Sequence, residues 1–101
     1  MYSRAMEAGL GDVTDNTEQR RYELRINSAV AGHIRYQTSR SVVTLIHTEI
    51  LPPFRGKGLG ERLAAGALDD LQSRGLQVTP LCPVVASYIR RHTAYAGLVV
   101  D

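Results

Sequence analysis

Residues 55 to 60 read Arg55-Gly56-Lys57-Gly58-Leu59-Gly60, three glycines and two cations in six positions. Just before them, Ile50 and Leu51 end a β-rich run, and Pro52 and Pro53 stop it. Proline has no N–H to give to a sheet ladder. Just after them, an amphipathic helical pattern begins. Glycines at a strand-to-helix turn let the backbone approach a ligand closely. The first amides of the helix lack internal partners and point outward, so the turn is an anion site. Arg55 and Lys57 add charge of the matching sign. The chemistry this implies is the binding of a phosphate or pyrophosphate. A P-loop is excluded, because no Gly-Lys-Ser/Thr follows the glycines. The dinucleotide fingerprint is also excluded, since Gly56-x-Gly58-x-Gly60 is one residue short of it.

Three other side chains have reactive chemistry. Cys82 stands where a strand ends and a helix begins at Pro83. Unpaired amides and the positive end of the helix dipole favour thiolate there, as a nucleophile needs. The competing reading is a small buried packing residue. On the strand leading to the glycine turn, a period of two places Val43, Leu45, His47 and Glu49 on one face. Two ionisable groups then sit near the end that runs into the turn. His47 reads as a sheet-face residue bonded to a neighbour. Glu49 reads, from the residues alone, as a solvated strand-end carboxylate.

The elements that must position these residues follow from hydrophobic period. Residues 1–20 are polar and aperiodic and read as a flexible tail, with 6–10 able to form one helical turn. From residue 21 the pattern is β. Tyr22, Leu24 and Ile26 alternate with polar residues, as do Gly32, Ile34 and Tyr36 after a turn at Asn27-Ser28-Ala29. A second turn at 38–41 leads into the most apolar strand, 42–50. Three strands joined by short turns predict an antiparallel meander. Leu59, Leu63, Ala64, Ala67, Leu68 and Leu71 form the buried stripe of a helix over 59–74, capped by Gly75. A further strand over 76–82 must run parallel to a partner, because a helix crossover precedes it. Pro80 argues against a fully paired position. Pro83 begins a second helix in the preferred first-turn position. Residues 93–101 close the chain as a short helical turn.

Composition narrows the function class. The chain has 101 residues, room for one domain with a modest core. A net charge of +2, with basic residues dispersed, gives no electrostatic footprint for nucleic acid. The single cysteine excludes an intramolecular disulfide framework and fits a reducing compartment. No Cys/His spacing predicts a metal site. No apolar run reaches the ~20 residues of a membrane span, and there is no signal-peptide core. A cytoplasmic protein without membrane or nucleic-acid partners is the expectation.

Arg55-x-x-Gly58-x-Gly60, placed between a strand and a helix, resembles the pyrophosphate-binding motif of the GCN5-related N-acetyltransferases. Leu81-Cys82-Pro83 and Tyr88-Ile89-Arg90-Arg91-His92, with Tyr95 downstream, narrow the resemblance to small single-domain GCN5-like members. It covers roughly residues 22–100, so the domain is expected over 21–101. The resemblance implies an α/β fold with a mostly antiparallel sheet and a splayed parallel strand pair. The cofactor helix would follow the glycine turn, and a second helix would follow Cys82. It also implies transfer of an acetyl group from acetyl-coenzyme A to an amine. The backbone of Ile50 and Leu51 would pair with the pantetheine arm. Arg55 and the amides of Gly56, Lys57, Gly58, Leu59 and Gly60 would hold the pyrophosphate. Glu49 would be the general base, Cys82 would lie near the thioester, and Tyr88 would protonate the leaving thiolate. Typical superfamily members build their acceptor pocket from N-terminal helices and a closing hairpin. Neither pattern is visible here. The alternative is therefore a coenzyme A binding module without turnover, and a homodimer completing the pocket remains an open expectation.

Overall fold

In the computed structural model, residues 11–100 are described. They form one five-stranded sheet in the order β1-β2-β3-β4-β5, with two helices on one of its faces. The strands are β1 (Asp12–Asn16), β2 (Arg21–Ile26), β3 (Ala29–Ser39), β4 (Val42–Ile50) and β5 (Gln77–Pro80). The helices are α1 (Leu59–Ser73) and α2 (Pro83–Arg91). Two short 3-10 turns, Pro52–Phe54 and Thr93–Leu98, complete the chain. β1 to β4 pair antiparallel, and β4 and β5 pair parallel. This is the mixed α/β sheet that the sequence predicts.

The buried stripe of α1 is Leu63, Ala64, Ala67, Leu68 and Leu71. It packs on Tyr22, Leu24, Ile34, Tyr36, Val43 and Leu45 from the sheet. Val78 of β5 and Val85 and Ile89 of α2 close the same core. The helix ends as its sequence requires. Gly75 takes φ 71°, its N–H donates to Gln72 O, and Leu76 N donates to Leu71 O. That pair of bonds is a Schellman cap, which glycine reaches without Cβ strain.

Two expectations need correction. Residues 12–16 are not part of a tail: they are β1, paired with β2 from Asp12↔Arg25 to Asn16↔Arg21. Val13, the one apolar residue of that strand, lies against Gly66 of α1, where an added Cβ would come within 2.5 Å of it. A glycine inside the helix is what lets the strand approach. Residues 1–10, including the expected helical turn, lie outside the described residues.

The second correction concerns β4. Its pairing with β3 steps from Arg35↔His47 to Tyr36↔Leu45, so Ile46 is an extra residue, a β-bulge. A one-residue insertion reverses which face each following side chain takes. Val43 and Leu45 therefore face the helices and are buried. Beyond the bulge, Thr48 and Ile50 face the helices, while His47 and Glu49 turn to the open face and are exposed. The expected common face of Val43, Leu45, His47 and Glu49 is not formed.

Candidate active site

β4 and β5 are paired only from Val42↔Gln77 to Leu45↔Pro80. The last rung is Leu45 O, which accepts from both Leu81 N and Cys82 N at 3.0 Å. Past it the two strands part. Pro80 sits at the point of parting, where its missing N–H is least needed. From there to its end, β4 has no paired strand on that side among the described residues.

The hydrogen-bond phase of β4 determines what this open edge presents. Leu51 N donates to Ala31 O at 2.8 Å. In an antiparallel pair, bonded and non-bonded positions alternate. Gly32↔Ile50 and Ile34↔Thr48 are thus the non-bonded pairs. The backbone groups of Ile50 and Thr48 point away from β3, into the splay. Ile50 O already accepts from Arg55 Nε at 2.8 Å. Of the two residues expected to pair with the pantetheine arm, Ile50 presents a backbone edge to the splay. The N–H of Leu51 is instead committed to β3.

On the helix side the splay opens into a groove of about 580 Å³. Its walls are the glycine turn with the N-terminus of α1, and one side of α2. Ile50, Arg55, Gly56, Gly58, Leu59 and Gly60 line it, all expected from sequence. Lys57 is exposed on the same turn but is not part of the lining. Gly56 and Gly58 have φ of 79° and 73°, in the left-handed region, and open space where a Cβ would stand. Gly58 is the N-cap of α1 and has no capping side chain, which leaves the first amides of the helix available.

Across the groove, α2 contributes Pro83, Val84, Ser87 and Arg91. Sequence reasoning missed Val84, Ser87 and Arg91 as site residues. Their spacing of three and four is one helix face, but they are not an apolar stripe. Arg91 pairs with Glu61 at 2.7 Å, joining the end of α2 to the first turn of α1. The guanidinium offsets the Glu61 carboxylate beside the glycine turn.

Two expected catalytic residues do not line the groove. Cys82 is 2% exposed and belongs to the core cluster. Its Sγ lies 2.8 Å from Thr48 Oγ1, a bond that spans the splay on the helix side. Tyr88 stacks on His92, with ring centroids 3.9 Å apart, and leans on Tyr95. It does not line the groove.

Glu49 stands on the open face of β4, between Thr48 and Ile50, at the edge of the splay. Its cross-strand neighbour is His33 of β3, and next in the same row is Glu23 of β2. His33 Nε2 lies 3.9 Å from Glu49 Oε1. Burial, helped by Arg21 and His47, pushes the His33 pKa below its ordinary value, against Glu49 and Glu23. Burial also pushes the Glu23 carboxyl up. Bonds from Asn16, Arg21 and Arg25 outweigh that and hold it below the usual carboxylate range.

Residues 21–98 match the model of the GCN5-related N-acetyl-transferase family. Protein NATD1 of Mus musculus is 26% identical over 82 residues, covering 79% of this chain and 74% of that protein. The solution NMR structure of a GCN5-like N-acetyltransferase candidate from Staphylococcus aureus superposes with a TM-score of 0.65 at 12% identity. The match covers 89% of this chain and 88% of that one. The fold, with its splayed strand pair and glycine turn, agrees with the family match, and the chain belongs to the GCN5-related N-acetyl-transferase family.

Proposed function

We propose that the chain binds acetyl-coenzyme A in the groove between the glycine turn and α2, and transfers the acetyl group to an amine. The observation that carries this reading is the junction of groove and splay. An anion site at the N-terminus of α1 leads, past Ile50, to the unpaired edge of β4. The turn amides and Arg55 hold the pyrophosphate, with Arg55 exchanging Ile50 O for phosphate oxygen. The pantetheine arm lies along the backbone of Thr48 and Ile50, whose amides polarise the thioester carbonyl.

Glu49 takes the proton from the amine on the open face. The amine nitrogen forms its bond to the acetyl carbon, the carbon–sulfur bond breaks, and the coenzyme thiolate leaves and takes a proton from water. Direct transfer of this kind is favoured over a covalent route through Cys82, because that thiol is buried and bonded to Thr48.

Calorimetric titration with acetyl-coenzyme A tests the reading. The wild type should bind, and Arg55→Glu should weaken binding more than about tenfold, about 1.4 kcal/mol. Absence of binding to the wild type overturns it. Binding without acetylation of any primary amine would leave the non-catalytic coenzyme A module in its place.

A further inference from the structure

The open face of the sheet carries an ionisable row across three strands, Glu23, His33 and Glu49, in direct cross-strand register. Glu23 is fixed by Asn16, Arg21 and Arg25 and faces no solvent. Glu49 is half exposed at the rim of the splay. Between them, the His33 side chain is 14% exposed, and its Nδ1 is buried with no hydrogen-bond partner among the described residues. Its Nε2 points to Glu49.

This arrangement selects one form of the ring. A proton on Nδ1 would be a buried N–H without an acceptor. The imidazolium requires that proton as well, so it is disfavoured together with the Nδ1–H tautomer. The neutral ring with its proton on Nε2 remains, and this form directs a donor at the Glu49 carboxylate. The 3.9 Å separation is longer than a hydrogen bond and within reach of a small movement of the exposed Glu49 side chain; catalytic hydrogen bonds are often long before substrate binds.

We propose that His33 is a positioning residue whose Nε2–H holds the Glu49 carboxylate in the orientation that accepts the amine proton. The inference rests on the reading of Glu49 as base. His33 does not itself take the proton onward, because its second nitrogen has nowhere to place one. The charged groups facing the ring are Arg21 and Glu23 from β2, and His47 and Glu49 from β4.

Long-range nitrogen–proton NMR of the full chain reads the tautomer and the titration directly. The expected result is an Nε2–H ring at pH 7 that titrates below the ordinary value of about 6.5. Glu49→Gln should push that titration lower still, since the carboxylate is the largest group raising it. An Nδ1–H ring, or a titration indifferent to Glu49→Gln, overturns the proposal. Kinetics on acetyl-coenzyme A with a panel of primary amines as probes adds a second readout. His33→Ala should lower kcat about tenfold with the KM for acetyl-coenzyme A unchanged. His33→Gln, which returns an N–H to the Nε2 position, should recover most of it. Equal kcat in His33→Ala and wild type overturns the proposal alone, while a wild type that turns over no amine overturns the acetyl-transfer reading with it.

Discussion

At the scale of single residues, the fate of Cys82 shows how position and accessibility separate. Its place before α2 is where the sequence would seat a nucleophile, yet the side chain is buried and its sulfur meets Thr48 across the splay. Removing it should therefore act on stability. Cys82→Ala leaves a small void and an unpartnered Thr48 hydroxyl, a loss of about 1 kcal/mol or more in denaturant unfolding. Turnover of acetyl-coenzyme A should stay within about threefold of wild type; a loss of several hundredfold would restore the covalent route. His33 and Glu23 give a second prediction. Both folded-state values are depressed, so the unfolded chain takes up protons that the folded one refuses. Stability should fall as pH drops below about 6.5, where the unfolded histidine charges. It should fall again below about 4.3, where the unfolded glutamate protonates. Melting temperature against pH measures both steps, and His33→Gln should remove the first.

At the scale of elements, the clearest test is Gly66. Taken as a helix position, Gly66→Ala should stabilise by about 1 kcal/mol, since glycine is the poorer helix former. The structure predicts the opposite. An added methyl would meet Val13 of β1 at 2.5 Å, and overpacking costs about 1–3 kcal/mol. The melting temperature should drop by about 5 °C, and a rise would mean that β1 is not docked on α1. The same contact explains what the sequence hid. The stripe of α1, the glycine cap at Gly75, the meander and the start of α2 at Pro83 are each written in local periods or local turn chemistry. β1 is five residues with one apolar side chain, so no period marks it. Its only trace was the glycine inside an otherwise regular helix. The bulge at Ile46 is hidden for another reason. An extra residue is defined by the partner strand, and β4 read alone, with adjacent apolar pairs at Val42-Val43 and Leu45-Ile46, does not mark which residue is extra. That single residue moved Glu49 to the open face, beside a histidine that no motif pointed to.

At the scale of the whole molecule, α1 separates two polar constructions. The groove lies at its N-terminus. Around its C-terminal end, Tyr22 donates to Asp70 at 2.6 Å and Tyr36 donates to Asp15 at 2.5 Å. Arg74 bonds to Asp15 at 2.9 Å and to Tyr22 at 3.0 Å. Burial and the Asp15 bond push the Tyr36 hydroxyl up to about 12, and burial with the Asp70 bond raises Tyr22 further, so both stay protonated donors. The network ties β1, β2 and β3 to the helix. At about 1.5 Å per residue, α1 holds the two ends about 22 Å apart, beyond the range at which substitutions usually couple. Tyr22→Phe should thus lower stability by about 1 kcal/mol and leave the affinity for acetyl-coenzyme A unchanged. Gly32→Ala should behave differently. The added Cβ would lie 2.6 Å from Ile50 Cδ1 and 2.7 Å from Glu49 O, so β4 must shift where Ile50 lines the groove. Stability and affinity should fall together in that variant. In the double variant, the two stability losses should add and the affinity should equal that of Gly32→Ala alone. An affinity that responds to Tyr22→Phe would mean that α1 transmits strain from the network to the glycine turn.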